Sequence, residues 1–275
     1  MKYQIELKLN NGKSLLVGID KPELIYGAVA IVTSEKIEGT GINPVNGKSL
    51  DIITIPNEET RFFIPGHIQK DYEYAKENGI DIVQVVAPYF IGKDEETPRE
   101  DVKTQIRYSV VAIIKNAEND TYLCEDARNR NCKSFVMGGI EENESPEDAA
   151  IRETNEETGY RDLMIDYVSN FSVINHFYAG YKGVNRYAYL NFVFGHLKTN
   201  AHIEITDEEN NKHVVKWVEK KDLRDFININ LNKLALEYLL NGEKAFEDDG
   251  VMMTLDSNNG KNSKEVRKEI IKKYC

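Results

Sequence analysis

The stretch GGIEENESPEDAAIRETNEETGY, from Gly138 to Tyr160, constrains this chain more than any other part of it. Ser145 followed by Pro146, Glu147 and Asp148 is a helix start. The serine hydroxyl can cap free backbone N–H groups, proline suits the first helical position, and both acids face the positive end of the helix dipole. Gly159 supplies the stop. Between these signals Glu153, Glu156 and Glu157 stand at i, i+3 and i+4, so three carboxylates project from one face. Like charges at that spacing repel by roughly a few tenths of a kcal/mol per pair, and the last turn of a helix disfavours anions. A bound divalent cation reverses the sign of both effects. The competing reading of such a pattern alone is a solvated acidic face.

Charge points the same way. The formal net charge is −11, so the surface lacks the basic footprint of a general nucleic-acid binder, and any RNA contact must be local. A polyanionic substrate is awkward to hold on such a surface unless divalent cations stand between. No apolar run approaches the length of a membrane-spanning helix, and the N-terminus enters alternating residues without an apolar signal core. The expectation is a cytoplasmic protein with no membrane partner. Cys124, Cys132 and Cys275 fit neither a disulfide framework nor a zinc ribbon and read as thiols.

At 275 residues the chain suits two domains. Ile5, Leu7 and Leu9 alternate before an Asn10-Asn11-Gly12 turn, and Ala28 to Val32 reads as a buried strand. Lys70 to Asn78 reads as a helix ended by Gly79, and Ile82 to Val86 as a strand. From Gly92 to Asp101 the chain is charged and carries Pro98, which suggests a linker. Tyr108 to Ile114 then opens a new β segment with Thr121 to Cys124 as its hairpin partner. Arg186 to Phe194 and Val214 to Val218 read as strands, Leu231 to Leu240 and Ser263 to Lys273 as helices.

Gly138, Glu144, Arg152-Glu153, Glu156-Glu157, Gly159 and Tyr160 together resemble the Nudix box at every charged and glycine position. Thr154 departs from it, standing where the family usually has an aliphatic residue. The resemblance implies an α/β (α+β) fold with a Nudix α/β/α sandwich and a metal-dependent pyrophosphohydrolase acting on a nucleoside diphosphate linked to another moiety. It further implies Mg²⁺ or Mn²⁺ held by Glu153, Glu156, Glu157 and Gly138, with Glu153, Glu157 and Arg152 as the catalytic set. Glu153 would help to activate water, Arg152 would orient a box glutamate, and Glu144 would brace the loop. Gly138 and Gly139 allow close backbone approach to metal and diphosphate. In this family a further general base often comes from a downstream loop, here Asp207-Glu208-Glu209; an ordinary exposed turn is the competing reading. Phe177, Tyr178 and Tyr181 lie where some relatives place an aromatic for base stacking, against a core or loop role. Arg128, Arg130 and Lys133 can reach phosphates or simply be solvated. His176 sits in the same segment as Tyr178, with a structural role as its competing reading.

The flanking segments carry a second resemblance. GINPVNGKSLDI from Gly41, the stretch Ile64 to Pro88, and DDGVMM from Asp248 to Met253 with the closing helix are similar to the connective editing domain of leucyl-tRNA synthetases. This implies a discontinuous β-rich domain, residues 1–103 and 245–275, with a Nudix domain, residues 104–244, inserted into it. Exposed loops with neighbouring ends tolerate such insertions. Asp71 matches the aspartate that holds the amino group of a mischarged amino acid, which implies tRNA as a further partner. Where the family carries threonines, this chain reads Ile19 to Leu24 without them, and Ile68 replaces an acid beside His67. Three functions follow for testing: the pyrophosphohydrolase, a module that edits mischarged tRNA, and a non-catalytic recognition module.

Overall fold

A computed structural model of the chain describes residues 1–129, 131–242, 251–253 and 262–275. They form two compact units, Met1–Pro88 with Val251–Cys275, and Tyr89–Gly250.

In the first unit, strands β1 (Tyr3–Lys8), β2 (Ser14–Ile19), β3 (Ala30–Thr33), β4 (Gly41–Ile42), β5 (Ser49–Thr54) and β6 (Arg61–Phe63) lie in the order β1-β2-β6-β3-β5-β4. A bridge between Leu9 and Gly41 joins the two ends, so the sheet curls into a small barrel without a long free edge. The turn between β1 and β2 works because Gly12 takes φ 84°. Ile5, Leu7, Val17 and Ile19 alternate into the core. Val266 and Ile270, i and i+4 on helix α6 (Ser263–Tyr274), close that core from the C-terminal side. Helix α1 (Gln69–Asn78) ends at Gly79 in the left-handed conformation, as its sequence predicts.

Residues 82–85, expected as a strand, join no sheet. At the end of this stretch an imidazole takes the place of a ladder partner: the N–H of Val85, and that of Val86 where the next strand begins, donate to His67 Nε2 at 2.9 and 3.3 Å. The strand β7 (Val86–Ile91) begins only at Val86, and its first half pairs with β14 (Val251–Met253). Asp248 to Gly250, part of the second resemblance, and Arg130 lie outside the described residues.

The second unit contains β8 (Thr104–Lys115), β9 (Thr121–Ala127), β10 (Lys133–Gly139), β11 (Leu163–Ala179), β12 (Val184–Leu197) and β13 (His213–Glu219). With the second half of β7 they form a mixed sheet ordered β13-β9-β10-β8-β12-β11-β7, in which β8–β12 and β7–β11 are parallel. Its helices are α2 (Pro146–Thr158), α3 (Asp207–Lys212), α4 (Leu223–Phe226) and α5 (Asn230–Asn241). From Ser109 to Ile114 strand β8 is buried on both faces. Val110, Ala112 and Ile114 pack with Ala149 and Ala150 of α2, while Val111 and Ile113 pack with Leu231, Ala235 and Leu236 of α5. Helix, sheet and helix thus form three layers. The expected β8–β9 hairpin exists only at Lys115↔Tyr122, because β10 enters between the two strands and pairs with both.

The 92–101 stretch, expected as a linker, belongs to this second unit. Gly92 N–H donates to His176 O at 2.8 Å, and buried Asn185 exchanges hydrogen bonds with the backbone of Arg99 and donates to Val102 O. Its charged composition reflects exposed side chains on a pinned backbone. None of the three cysteines is in a disulfide. Among the described residues no helix is long and apolar enough to cross a membrane.

Candidate active site

The site is built where β10 runs into α2. Ser145 Oγ accepts from Asp148 N–H at 3.1 Å, Pro146 opens the helix, and Gly159 closes it at φ 77°. A side chain at Gly159 would meet Ile203 O at 2.1 Å, so this glycine is required for packing as well as for conformation.

Arg152 is the hub of the loop. Its Nε and one terminal nitrogen donate to Glu144 at 2.8 and 3.0 Å, and that second nitrogen also donates to Gly139 O at 2.7 Å. The other terminal nitrogen donates to Glu153 Oε1 at 2.8 Å and Glu156 Oε2 at 3.3 Å. All five guanidinium N–H groups are thereby used, which fixes the loop to the helix. Glu144 in turn accepts from Glu141 N–H at 2.8 Å, and Arg152 holds its carboxyl below the usual carboxylate range. The Glu153 side chain lies directly over Gly138, where an added Cβ would fall 1.8 Å from its carboxyl carbon. Gly138 is therefore a cradle that any larger residue would fill.

Glu157 points to the buried side of the helix, whereas the Glu156 side chain is 59% exposed. Two residues not anticipated from the sequence meet Glu157 there. His213 Nε2 lies 2.8 Å from Glu157 O; a carbonyl only accepts, so this nitrogen carries the proton. The Glu125 carboxylate lies against that of Glu157 and 3.2 Å from His213 Nε2. Burial first, and then the charge of Glu125, raise the Glu157 carboxyl well above the usual range; burial raises Glu125 too, with His213 opposing it. Glu209, on α3, adds its field to the same pair, so of Asp207, Glu208 and Glu209 it is the one that the fold turns inward. The signal available in the sequence was alternation: Leu123 and Glu125 share a strand face, and an acid there sits at a core-facing position.

A divalent cation fits this chemistry. Glu125 Oε1 and Glu157 Oε2 are buried and have no hydrogen-bond partner among the described residues, and the missing side chain of Gly138 lets the Glu153 carboxylate come down onto the backbone there. Hard oxygen donors of this kind suit Mg²⁺ or Mn²⁺. No group of three or more His, Cys, Asp or Glu side chains is already drawn around one point among the described residues.

The other expected residues lie elsewhere. Tyr178 stands at the level of Asn185 and Thr104, five residues along β8 from the Ser109 that faces Gly139, or about 16 Å, and Arg99 covers one face of its ring at 3.6 Å. Arg128 is tied to α3 through Asn210 O at 2.6 Å. His176 Nδ1 meets Tyr89 OH at 3.3 Å, and Lys133 lies over the Phe226 ring. Arg107, which the sequence did not single out, stands over Gly139, its Nε donating to Ser109 Oγ at 3.1 Å. In the first unit Asp71 is 1% exposed, and both its oxygens accept from Arg61, at 2.7 and 2.8 Å, with a further bond from Ile64 N–H at 2.8 Å.

Residues 105–237, just under half of the chain, match the family model described as NUDIX domain. Among solved structures, the chain is similar to a NUDIX hydrolase from Nitrosomonas europaea, at 19% identity over 50% of this chain and 91% of that one, TM-score 0.37. It is similar at 19% identity to the E. coli dihydroneopterin triphosphate pyrophosphohydrolase, over 50% of this chain and 96% of that one, TM-score 0.38. A C. elegans Ap4A hydrolase matches at 19% identity over 51% of this chain and 99% of that one, TM-score 0.39. No curated protein matches the sequence. The chain thus carries a Nudix domain, and with it the class of hydrolases that act on phosphoanhydride bonds.

Proposed function

We propose that the chain is a metal-dependent pyrophosphohydrolase that cleaves a nucleoside diphosphate linked to another moiety. The observation that carries this reading is the acidic ridge of α2, where Glu157 Oε2 is buried without a hydrogen-bond partner among the described residues and faces Glu125 of β9, whose Oε1 also lacks one. Glu153, Glu156, Glu157 and the backbone of Gly138 would hold Mg²⁺ or Mn²⁺. When bound, such ions neutralise a diphosphate, lower the pKa of coordinated water and stabilise charge on the departing phosphate. Arg152 keeps Glu153 in place over Gly138 and orders the loop. Gly139 permits close approach of a phosphate to the backbone, and Arg107 supplies a guanidinium above it. His213 holds the last turn of α2 through Glu157 O, so the buried carboxylate keeps its orientation.

The discontinuous first unit supports reading the Nudix-bearing segment as an insertion into a domain like the synthetase connective one. It does not favour editing as the activity, because the Asp71 carboxylate is saturated by Arg61 and the backbone of Ile64.

A screen of nucleoside diphosphate derivatives in Mg²⁺, with Glu157→Gln as control, tests the proposal. The expected result is phosphate-releasing turnover that falls in the variant by on the order of 10² or more, with an unchanged circular dichroism spectrum. Equal turnover in both proteins would refute the assignment.

A further inference from the structure

We propose that Glu125, on β9 and outside the box, is a further ligand of the cation held by Glu157. The inference rests on the metal-dependent reading above and extends its ligand set to a different strand. Along β9, Tyr122 and Cys124 face the α5 layer while Leu123 and Glu125 face α2. Glu125 pairs with Ser134 of β10 on one side and Val215 of the edge strand β13 on the other, and its side chain is only 12% exposed. An ionisable group is rare at such a position unless something compensates it.

No fixed positive charge in the site does so. Arg152 has given its five N–H groups to Glu144, Glu153, Glu156 and Gly139 O. Lys212 is paired with Glu208 and Glu209. His213 lies 3.2 Å from Glu125 Oε1, yet it gives its Nε2 proton to Glu157 O, and Glu125 Oε1 remains without a hydrogen bond. Two touching carboxylates, each with one buried oxygen unsatisfied, are costly as a purely structural pair and well suited to bridging by a divalent ion. Glu156 and Glu157, neighbours on the helix, project about 100° apart, so Glu157 faces the strand while Glu156 faces solvent.

The test uses the full chain and Mn²⁺ alone. Calorimetric titration of wild type and Glu125→Gln should show Mn²⁺ affinity at least about tenfold weaker in the variant, with no loss of thermal stability in the absence of metal. Crystals of the wild type soaked in Mn²⁺ should place anomalous density about 2.1 Å from a Glu125 oxygen, a result that holds even if the variant folds poorly. Unchanged affinity in Glu125→Gln, or density ligated only through Glu153, Glu156 and Glu157, overturns this proposal and leaves the metal-dependent reading standing. No uptake by the wild type overturns both.

Discussion

Thr154 is fully buried in the middle of α2, and its hydroxyl has no partner among the described residues, although its own carbonyl accepts from Thr158 Oγ1 at 2.5 Å. An unsatisfied buried hydroxyl is a net cost, and its isosteric removal is a gain. Thr154→Val should therefore raise stability by about 1 kcal/mol, read as a higher midpoint in urea at constant slope; a lower midpoint would show that the hydroxyl is satisfied in solution. The residues of the box itself could be read from the sequence because helix spacing alone puts Arg152 beside Glu156 and Glu153 beside both Glu156 and Glu157. Glu125 and His213 could not, since 32 and 56 positions separate them from Glu157 and only the pairing of β9 with β13 brings them together. Tyr178 was read from its distance along the chain. The strand register that places it about 16 Å along the sheet is not a property of local sequence.

Elements held by local signals match the sequence closely. Helix α2 starts at its serine cap and stops at its glycine, and α1 stops at Gly79. Strand β11 was invisible because register shifts between Ile165 and Tyr167, and between Val168 and Ser172, break the period-two pattern that alternation analysis needs. The segment at 82–85 erred in the other direction: its apolar run is strand-like, but His67 takes the backbone N–H groups of Val85 and Val86. That arrangement has a pH signature. Burial, and then nearby Lys21, push His67 down to about 3. The unfolded chain, with a value near 6.5, takes up the proton first as pH falls. The contribution of His67 is thus complete above about 6.5 and is lost between there and about 3. Stability measured across that window should fall with acid in the wild type and fall less steeply in His67→Gln; parallel curves would exclude His67 as the source.

At the scale of the molecule, each unit has its own core, and the first depends on a segment that follows the second in the chain. Ile270, 4% exposed, belongs to the same core as Ile5, Val17 and Phe62, and Arg267 of the same helix pairs with buried Glu23. Ile270→Ala should cost the first unit about 2–5 kcal/mol, visible as lost hydrogen-exchange protection in β1 and β2, with Mn²⁺ uptake by the second unit unchanged. Equal loss of protection in both units would contradict two separate cores. The net charge of −11 sets the wider condition, since an acidic chain that handles a diphosphate needs cations as intermediaries. Titrating Mn²⁺ into the full chain while following the free-ion electron paramagnetic resonance signal addresses that need most directly. The signal should be quenched by the wild type and largely restored in Glu157→Gln of unchanged fold. A signal equally strong in buffer and in wild-type protein would contradict the account at its centre.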